Sequence, residues 1–265
     1  VKDHFLAESW NVMPVTLIPC LSDNYAYLIE SGGEVAVVDP SEPGPVIAAL
    51  EAKGLTRLDH ILNTHHHFDH TGGNVPLKEK YGAKVTGPRA DAHRIAGIDR
   101  GVGEGDTVKV GDSLWRVLDI PAHTSGHIAL WCPEQAAVFT GDTLFAMGCG
   151  RLFEGTPAQM WTSLSKLAAL PPETKVYCGH EYTAANGRFA LTVDAKNAAL
   201  KNRMEDVNRL RAEGHPTIPS TMAWERETNP FLRCATQDVA MAAGLSPSDP
   251  VAVLAEIRRR KDVFK

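Results

Sequence analysis

Residues 61–74 read ILNTHHHFDHTGGN, which puts four histidines and an aspartate into six consecutive positions, 65–70. An affinity tag would be an unbroken run at a terminus, whereas this run is internal, patterned His-x-His-x-Asp-His, and preceded by the apolar Ile61 and Leu62. His65, His67, Asp69 and His70 together in one place point to metal. The fold must therefore deliver them together. LDHILNT, Leu58 to Thr64, reads as a strand, and TGGN as the turn into the next helix, so the ligands leave a strand's carboxyl end, where α/β proteins hold their chemistry. In near-extended backbone, side chains at i and i+2 share a face, so His65 and His67 converge while His66 turns away and is expected to pack. Asp69 and His70 follow once the chain has turned, which provides for a second ion. Gly72 and Gly73 are expected to permit that turn where a side chain would clash.

The rest of the pattern supports such a sheet. VTLIPC, NYAYLIE and EVAVVDP read as strands, the last stopped by Pro40, and PVIAALEAKG as a helix closed by Gly54. VPLKEKYG is a short helix and AKVTGP a strand. From Thr107 to Phe145, DTVKVG, SLWRVLDIP, HIALWCP and AAVFTGD follow one another as strands. TPAQMWTSLSKLAAL is a helix capped by Thr156 with Pro157 in its first turn, and TKVYCGHEY is one more strand with its exit loop. Beyond Ala184 the pattern becomes helical, with a Pro-containing link at 216–219 and a last helix after Pro250. An α/β catalytic part over 13–183 and a smaller helical, substrate-binding part over 184–265 are expected. Residues 1–12 precede the first strand pattern.

Two ions need more ligands than one loop supplies. His123 in IPAHTSGH, Asp142 in FTGDTLF and His180 in YCGHEYT each fall at the exit of a predicted strand. His65, His67 and His123 then form one nitrogen-rich site and Asp69, His70 and His180 the other, with the two oxygens of Asp142 bridging both. His127 lies on the next strand and is expected to pack rather than ligate.

In this order, THHHFDHTGGN, HTSGH, GDTLF and CGHEYT resemble the metallo-β-lactamase superfamily, and more narrowly the hydroxyacylglutathione hydrolases (glyoxalase II). The narrower resemblance runs through SDNYAYLI, GCGRLFEGTPAQM, PSTMAWERETNPF and the terminal RRRKD. It implies an αββα sandwich followed by a helical domain, a dinuclear metal centre ligated as above, and hydrolysis of S-lactoylglutathione to lactate and glutathione. The best-known members carry lysine and tyrosine where this chain has Arg151 and Phe153. Arginine keeps the cation with a different hydrogen-bond geometry, and phenylalanine removes a hydroxyl.

The constellation suits thioester hydrolysis. Two metals about 3.5 to 4 Å apart clamp a bridging water and lower its pKa toward ~7, so hydroxide forms without a protein base, and a thiolate leaves readily. Asp69 is expected to orient that hydroxide as well as to ligate, which makes Asp69 and Asp142 the catalytic carboxylates. Zinc is the first expectation for the metal, with iron or manganese as alternatives, because the ligands are histidine and carboxylate without cysteine. In PVAVLAEIRRRKD, at ~100° per residue, Val251, Leu254 and Ile257 mark one helix face. Arg258 and Lys261 fall within it, while Arg259 and Arg260 point away. On physics alone these two cations either snorkel and pair with internal acids or meet an anionic ligand. The resemblance implies that they bind a carboxylate of glutathione, and Tyr182 is placed to touch the peptide.

Rival readings fit less well. A persulfide dioxygenase of the same superfamily uses one iron and does not need the full set of Asp69, His70 and His180. Nucleic-acid-processing members insert a large domain and present basic surface, whereas this 265-residue chain carries a net charge of −5. Diiron members handling oxygen or nitric oxide carry acidic replacements in the histidine loop and a flavin domain. No apolar run approaches the ~20 residues that span a bilayer. The five cysteines are odd in number, widely spaced and without a Cys-x-x-Cys pair, which argues for a reducing compartment. A cytoplasmic monomer acting on a small-molecule thioester, with neither nucleic acid nor membrane as partner, is the expectation.

Overall fold

A computed structural model describes residues 15–264; residues 1–12, Met13, Pro14 and Lys265 lie outside the described residues. The first sheet holds β1 (Val15–Cys20), β2 (Asn24–Ser31), β3 (Glu34–Val38), β4 (His60–Leu62), β5 (Lys84–Pro88) and β6 (Arg100–Val102) in sequence order, antiparallel as far as β3 and parallel thereafter. Helices α1 (Pro43–Ala52), α2 (Phe68–Thr71) and α3 (Asn74–Tyr81) fall within its connections. The second sheet is built from β7 (Thr107–Val110), β8 (Ser113–Asp119), β9 (Ile128–Cys132) and β10 (Ala137–Gly141). A small hairpin, β11 (Leu144–Phe145) with β12 (Gly148–Cys149), and helix α4 (Pro157–Ala168) follow, before β13 (Lys175–Cys178) returns parallel to β10. Helices α5 (Thr183–Val193) and α6 (Ala198–Ala212) come next. The strand β14 (Ser220–Thr221) then adds to the edge of the second sheet beside β13, so the region expected to be helical also contributes to the sheet. The chain ends in α7 (Met222–Thr228), α8 (Gln237–Ala243) and α9 (Pro250–Val263).

Alternation along the strands makes the layers. In β2, Tyr25, Tyr27 and Ile29 point between the sheets, where Trp115 and Phe139 of the second sheet meet them. Ala26 and Leu28 point the other way and join Val46, Leu50 and Leu77 of the helices that cover the first sheet. Val138 of β10 likewise turns outward to Met160 and Leu164 of α4 and to Leu254 and Ile257 of α9. Each central strand is buried on both faces, which is why these strands read as continuous apolar runs. The result is the αββα sandwich with helices at its carboxyl-terminal end. Among the described residues no helix is long and apolar enough to cross a membrane.

One local expectation needs correction. The strand expected over Leu58–Thr64 is paired only over His60–Leu62, because the Thr64 amide leaves the ladder and donates to the Asp39 carboxylate at 2.8 Å. Gly72 and Gly73 stand where a side chain would clash, as expected, with right-handed backbone at φ −60° and −82°. They are needed because a Cβ would lie 2.4 Å from the Ser41 carbonyl oxygen and 2.8 Å from that of Pro40, so the histidine segment lies directly on the loop after β3.

The cap of α4 is the expected one, with an addition. The Gln159 amide donates to Thr156 Oγ1 at 3.2 Å, and the Thr156 amide donates to Gln159 Oε1 at 2.9 Å, a reciprocal box. Because α4 packs on α9, its entry sets where α9 sits. Thr156→Ala is expected to cost about 1 kcal/mol. The check is a lower urea midpoint at unchanged slope.

Candidate metal centre

The loops after β4, β8, β10 and β13 converge at one end of the sandwich. His65 Nε2 and His123 Nε2 each lie 3.1 Å from His67 Nδ1, three ring nitrogens aimed at one point. Beside them, His180 Nε2 lies 3.4 Å from Asp69 Oδ2, and His70 Nε2 lies 3.6 Å from the same oxygen. Asp142 stands between the groups. Its Oδ1 is 3.4 Å from His70 Nε2, and its Oδ2 is 3.5 Å from His123 Nε2 and 3.3 Å from His180 Nε2. The structure thus brings all seven residues together. The triads His65–His67–His123 and Asp69–His70–His180 each present ligand atoms close enough to share an ion.

The donor set fits metal on two physical grounds. Among the described residues, His70 Nε2 and Asp142 Oδ1 are buried without a hydrogen bond and face each other at 3.4 Å, the state expected of atoms that share a cation. The opposite nitrogens of four rings are engaged: His65 Nδ1 with Thr64 Oγ1 at 3.0 Å, His70 Nδ1 with Asp39 Oδ2 at 3.2 Å, His123 Nδ1 with the Arg151 carbonyl at 3.0 Å, and His180 Nδ1 with Asp23 Oδ1 at 2.9 Å. Protonating Nδ1 in each leaves the inward Nε2 with a free lone pair. The glycine before His180 is required at this spot, since a Cβ on Gly179 would lie 2.3 Å from Asp142 Oδ1.

A cavity of about 480 Å³ opens from the metal-ligating groups toward α9, and Arg151, Phe153, Tyr182, Arg258 and Lys261 all line it. Phe153, 60% exposed, stands over the rings of His123 and His67 at 5.2 and 5.9 Å. Tyr182 stacks on His180 at 4.6 Å. The burial of α9 falls on Val253, Leu254, Ile257 and Arg258, leaving Val251 only partly buried, so the face is turned slightly from the expected one. Arg258 donates to the Cys149 carbonyl at 2.7 Å and to Asp262 at 3.1 Å, while its Nε, buried, has no partner. Lys261 reaches the Ala185 carbonyl at 3.3 Å over the rings of Phe189 and Phe264. Arg260 turns away from the cavity, but it is not idle: it donates to the carbonyls of Ala242 and Ala243, ending α8. Among the described residues, Arg259 is bonded only to Glu256.

With this geometry in view, comparison with known proteins is decisive. Residues 22–180 match the metallo-beta-lactamase superfamily, and residues 181–264 match the hydroxyacylglutathione hydrolase C-terminus. The chain is 53% identical to the hydroxyacylglutathione hydrolase of Methylococcus capsulatus, over 96% of this chain and 100% of that one. It is 52% identical to that of Rhodospirillum rubrum over the same shares. The chain belongs to the hydroxyacylglutathione hydrolase family. Among solved structures, TTHA1623 in a di-iron-bound form is similar with a TM-score of 0.58 and 29% identity, covering 83% of this chain and 100% of that one.

The sequence reading of this family member missed the residues that hold the ligands. Asp39 reads in the sequence only as the end of a strand, yet it accepts from Thr64 and His70. Asn24 donates to Asp69 Oδ2 at 3.0 Å. His127 packs as expected, its ring stacked on His65, but its Nε2 also accepts the Asp142 amide at 3.1 Å. The available signal was the one used for the ligands, a polar residue just beyond a buried strand, and it applied equally to Asp39 in VVDP.

The two triads differ in how they hold protons. Burial, aided by neighbouring imidazoles, keeps His65 well below the ordinary histidine value and takes His67 down to about 4, and burial also lowers His123. Burial opposes charge on His180 too, but the Asp142 and Asp69 carboxylates outweigh it and push the imidazole up to about 10. His70 is raised in the same sense, burial being overcome by Asp142 and Asp39. At neutral pH the first triad is therefore deprotonated and ready, whereas an ion entering the second must displace protons from His70 and His180. Metal affinity of the second triad should rise by up to about a hundredfold per pH unit between pH 6 and 8, tenfold for each proton displaced, and that of the first should stay nearly flat. Chelator competition across that range is the measurement.

Proposed function

We propose that this protein hydrolyses S-(2-hydroxyacyl)glutathione thioesters, S-lactoylglutathione foremost, to glutathione and the 2-hydroxy acid. One observation carries the reading: two metal-ligating triads that share Asp142 open into the same cavity as the cations of α9. His65, His67 and His123 would hold one ion, and Asp69, His70 and His180 the other, with Asp142 common to both. Zinc fits this nitrogen and oxygen donor set, with iron or manganese as alternatives, and the di-iron form of TTHA1623 is a related precedent. When bound, two such ions supply Lewis acidity for the thioester carbonyl and lower the pKa of the attacking water.

The chain's own groups do the rest. Asp69, steadied by Asn24, orients the water on the cavity wall. Arg258 and Lys261 hold a carboxylate of the glutathione, and their burial strengthens the attraction beyond what the surface would give. Tyr182, Arg151 and Phe153 flank the peptide. The water gives up a proton to solvent as its oxygen adds to the carbonyl carbon, the carbon–sulfur bond then breaks with its electron pair on sulfur, and the thiolate leaves without an acid. The catalytic part, 13–183, then supplies the ligands together with Arg151, Phe153 and Tyr182, and the part over 184–265 supplies Arg258 and Lys261. All five cysteines are free and buried, which fits a reducing, cytoplasmic setting, and the site is complete within one chain, which fits a monomer. The direct experiment compares hydrolysis of S-lactoylglutathione with that of lactoyl-coenzyme A by metal-loaded protein. Equal rates on both would overturn the substrate reading.

Asp69→Asn keeps size and one ligating oxygen but loses the charge. It should fold, keep metal at the nitrogen-rich triad, and lose at least about a hundredfold in kcat, a barrier increase of about 2.7 kcal/mol. Full activity would refute a catalytic role for Asp69.

Lys261→Ala should raise KM for glutathione thioesters by about ten- to a hundredfold, the loss of one charge-assisted contact of ~1.5 to 3 kcal/mol, with metal content unchanged. Arg259→Ala is the proper control. Arg260→Ala would also unfasten α8 and confuse the comparison.

A further inference from the structure

Among the described residues, one cluster of ligating atoms shares no residue with the two triads. His66 Nδ1 is 3.1 Å from Asp91 Oδ2, and its Nε2 is 3.8 Å from Glu154 Oε1. An imidazole and two carboxylates would suit a divalent cation. Arg94 decides otherwise. Its Nη1 lies 3.4 Å from Asp91 Oδ1 and 3.0 Å from Glu154 Oε2, and its Nη2 bonds Glu154 Oε1. A guanidinium that never deprotonates already bonds both carboxylates and offsets one of their two charges, and a metal ion would have to displace it.

What the array does follows from what it connects. Asp91 is 1% exposed, and it also accepts from Ser125 Oγ at 3.3 Å and from the Gly126 amide at 3.1 Å. Glu154 Oε2 accepts the Ser125 amide at 2.8 Å. These bonds tie the histidine loop, the turn holding Asp91 and Arg94, and the loop after His123 to segment 150–155, which carries Arg151 and Phe153. That segment has a second fastening at its other end, the bond from His123 Nδ1 to the Arg151 carbonyl. Phe153 lies between the two fastenings, over His67 and His123.

We propose that Arg94, with Asp91 and Glu154, is a positioning strap that holds segment 150–155 against the histidine loop, so that Arg151 and Phe153 meet a glutathione thioester in register with the nitrogen-rich triad. The inference rests on the proposed substrate. Without Arg94, two carboxylates face each other, and the buried Asp91 cannot leave. Glu154, whose side chain is 25% exposed, is the one with a route to water, so the segment it belongs to is what moves.

The test uses the full metal-loaded chain. Arg94→Gln should raise KM for S-lactoylglutathione about tenfold, the worth of one hydrogen bond to a charged group, with kcat and metal content unchanged. Hydrolysis of S-lactoyl-N-acetylcysteamine, which lacks the peptide, should be unaffected, and Arg94→Lys should restore part of the KM. Backbone hydrogen exchange over 149–156 should quicken in Arg94→Gln whatever thioester is used. That measurement tests the strap even if the parent does not act on glutathione thioesters and the proposed function falls. Unchanged exchange, or equal losses on both thioesters, would overturn the strap. So would a third equivalent of metal in the parent that Asp91→Asn removes. Should Arg94→Gln not fold, Arg94→Lys and Glu154→Gln carry the same comparisons.

Discussion

The carboxylate of Asp39 is the fixed point on which the metal-ligating end of the sandwich depends. Buried at the end of β3, it accepts the Thr64 amide at 2.8 Å, the Thr64 hydroxyl at 2.7 Å and His70 Nδ1 at 3.2 Å. Thr64 in turn contacts His65 Nδ1, so one side chain sets the ring orientation of a histidine in each triad. Its backbone sits at φ 47°, in the left-handed region that aspartate tolerates better than most residues. That conformation costs about 1 kcal/mol or more and persists because the surrounding bonds determine it. It also pulls Thr64 out of the sheet, which ends β4 early and starts the histidine loop.

From that point the electrostatics divide. The nitrogen-rich triad is dominated by burial and mutual repulsion of imidazoles, so its rings are neutral. The second triad is dominated by Asp69 and Asp142, so its rings are cationic until a metal replaces their protons. Burying two carboxylates together would be costly without positive partners. Protons or metal ions serve equally as those partners, and this exchange links metal binding to pH.

The cavity is completed by residues far along the chain from most of the candidate ligands. Arg258 and Lys261 stand on α9, which is held by α4 and α8. Arg258 is the more deeply engaged of the two, bound to Cys149 and Asp262 as well as facing the cavity, so both readings of the helix, internal pairing and a place at the cleft, describe it. Lys261 has only a long carbonyl contact and two aromatic rings, which leaves its charge more available.

The sequence by itself determined the layers and the ligand positions. Strand burial has a period of two, so Tyr25, Tyr27 and Ile29 are separated from Ala26 and Leu28 without reference to the rest of the chain. Histidines and aspartates beyond apolar runs are placed at strand ends by the same local rule, and the fold brings the seven candidate ligands together. The tertiary structure alone decided what holds them. Asp39, Asn24, Asp91 and Arg94 act through partners up to 60 positions away, and no spacing within one element encodes a bond between loops. Nor could periodicity show that the backbone which Gly72 and Gly73 approach is that of Ser41 and Pro40. It showed that Arg260 turns from the cavity without revealing that it fastens α8. Local chemistry fixes which side of an element a residue occupies; what it meets there depends on how the elements pack.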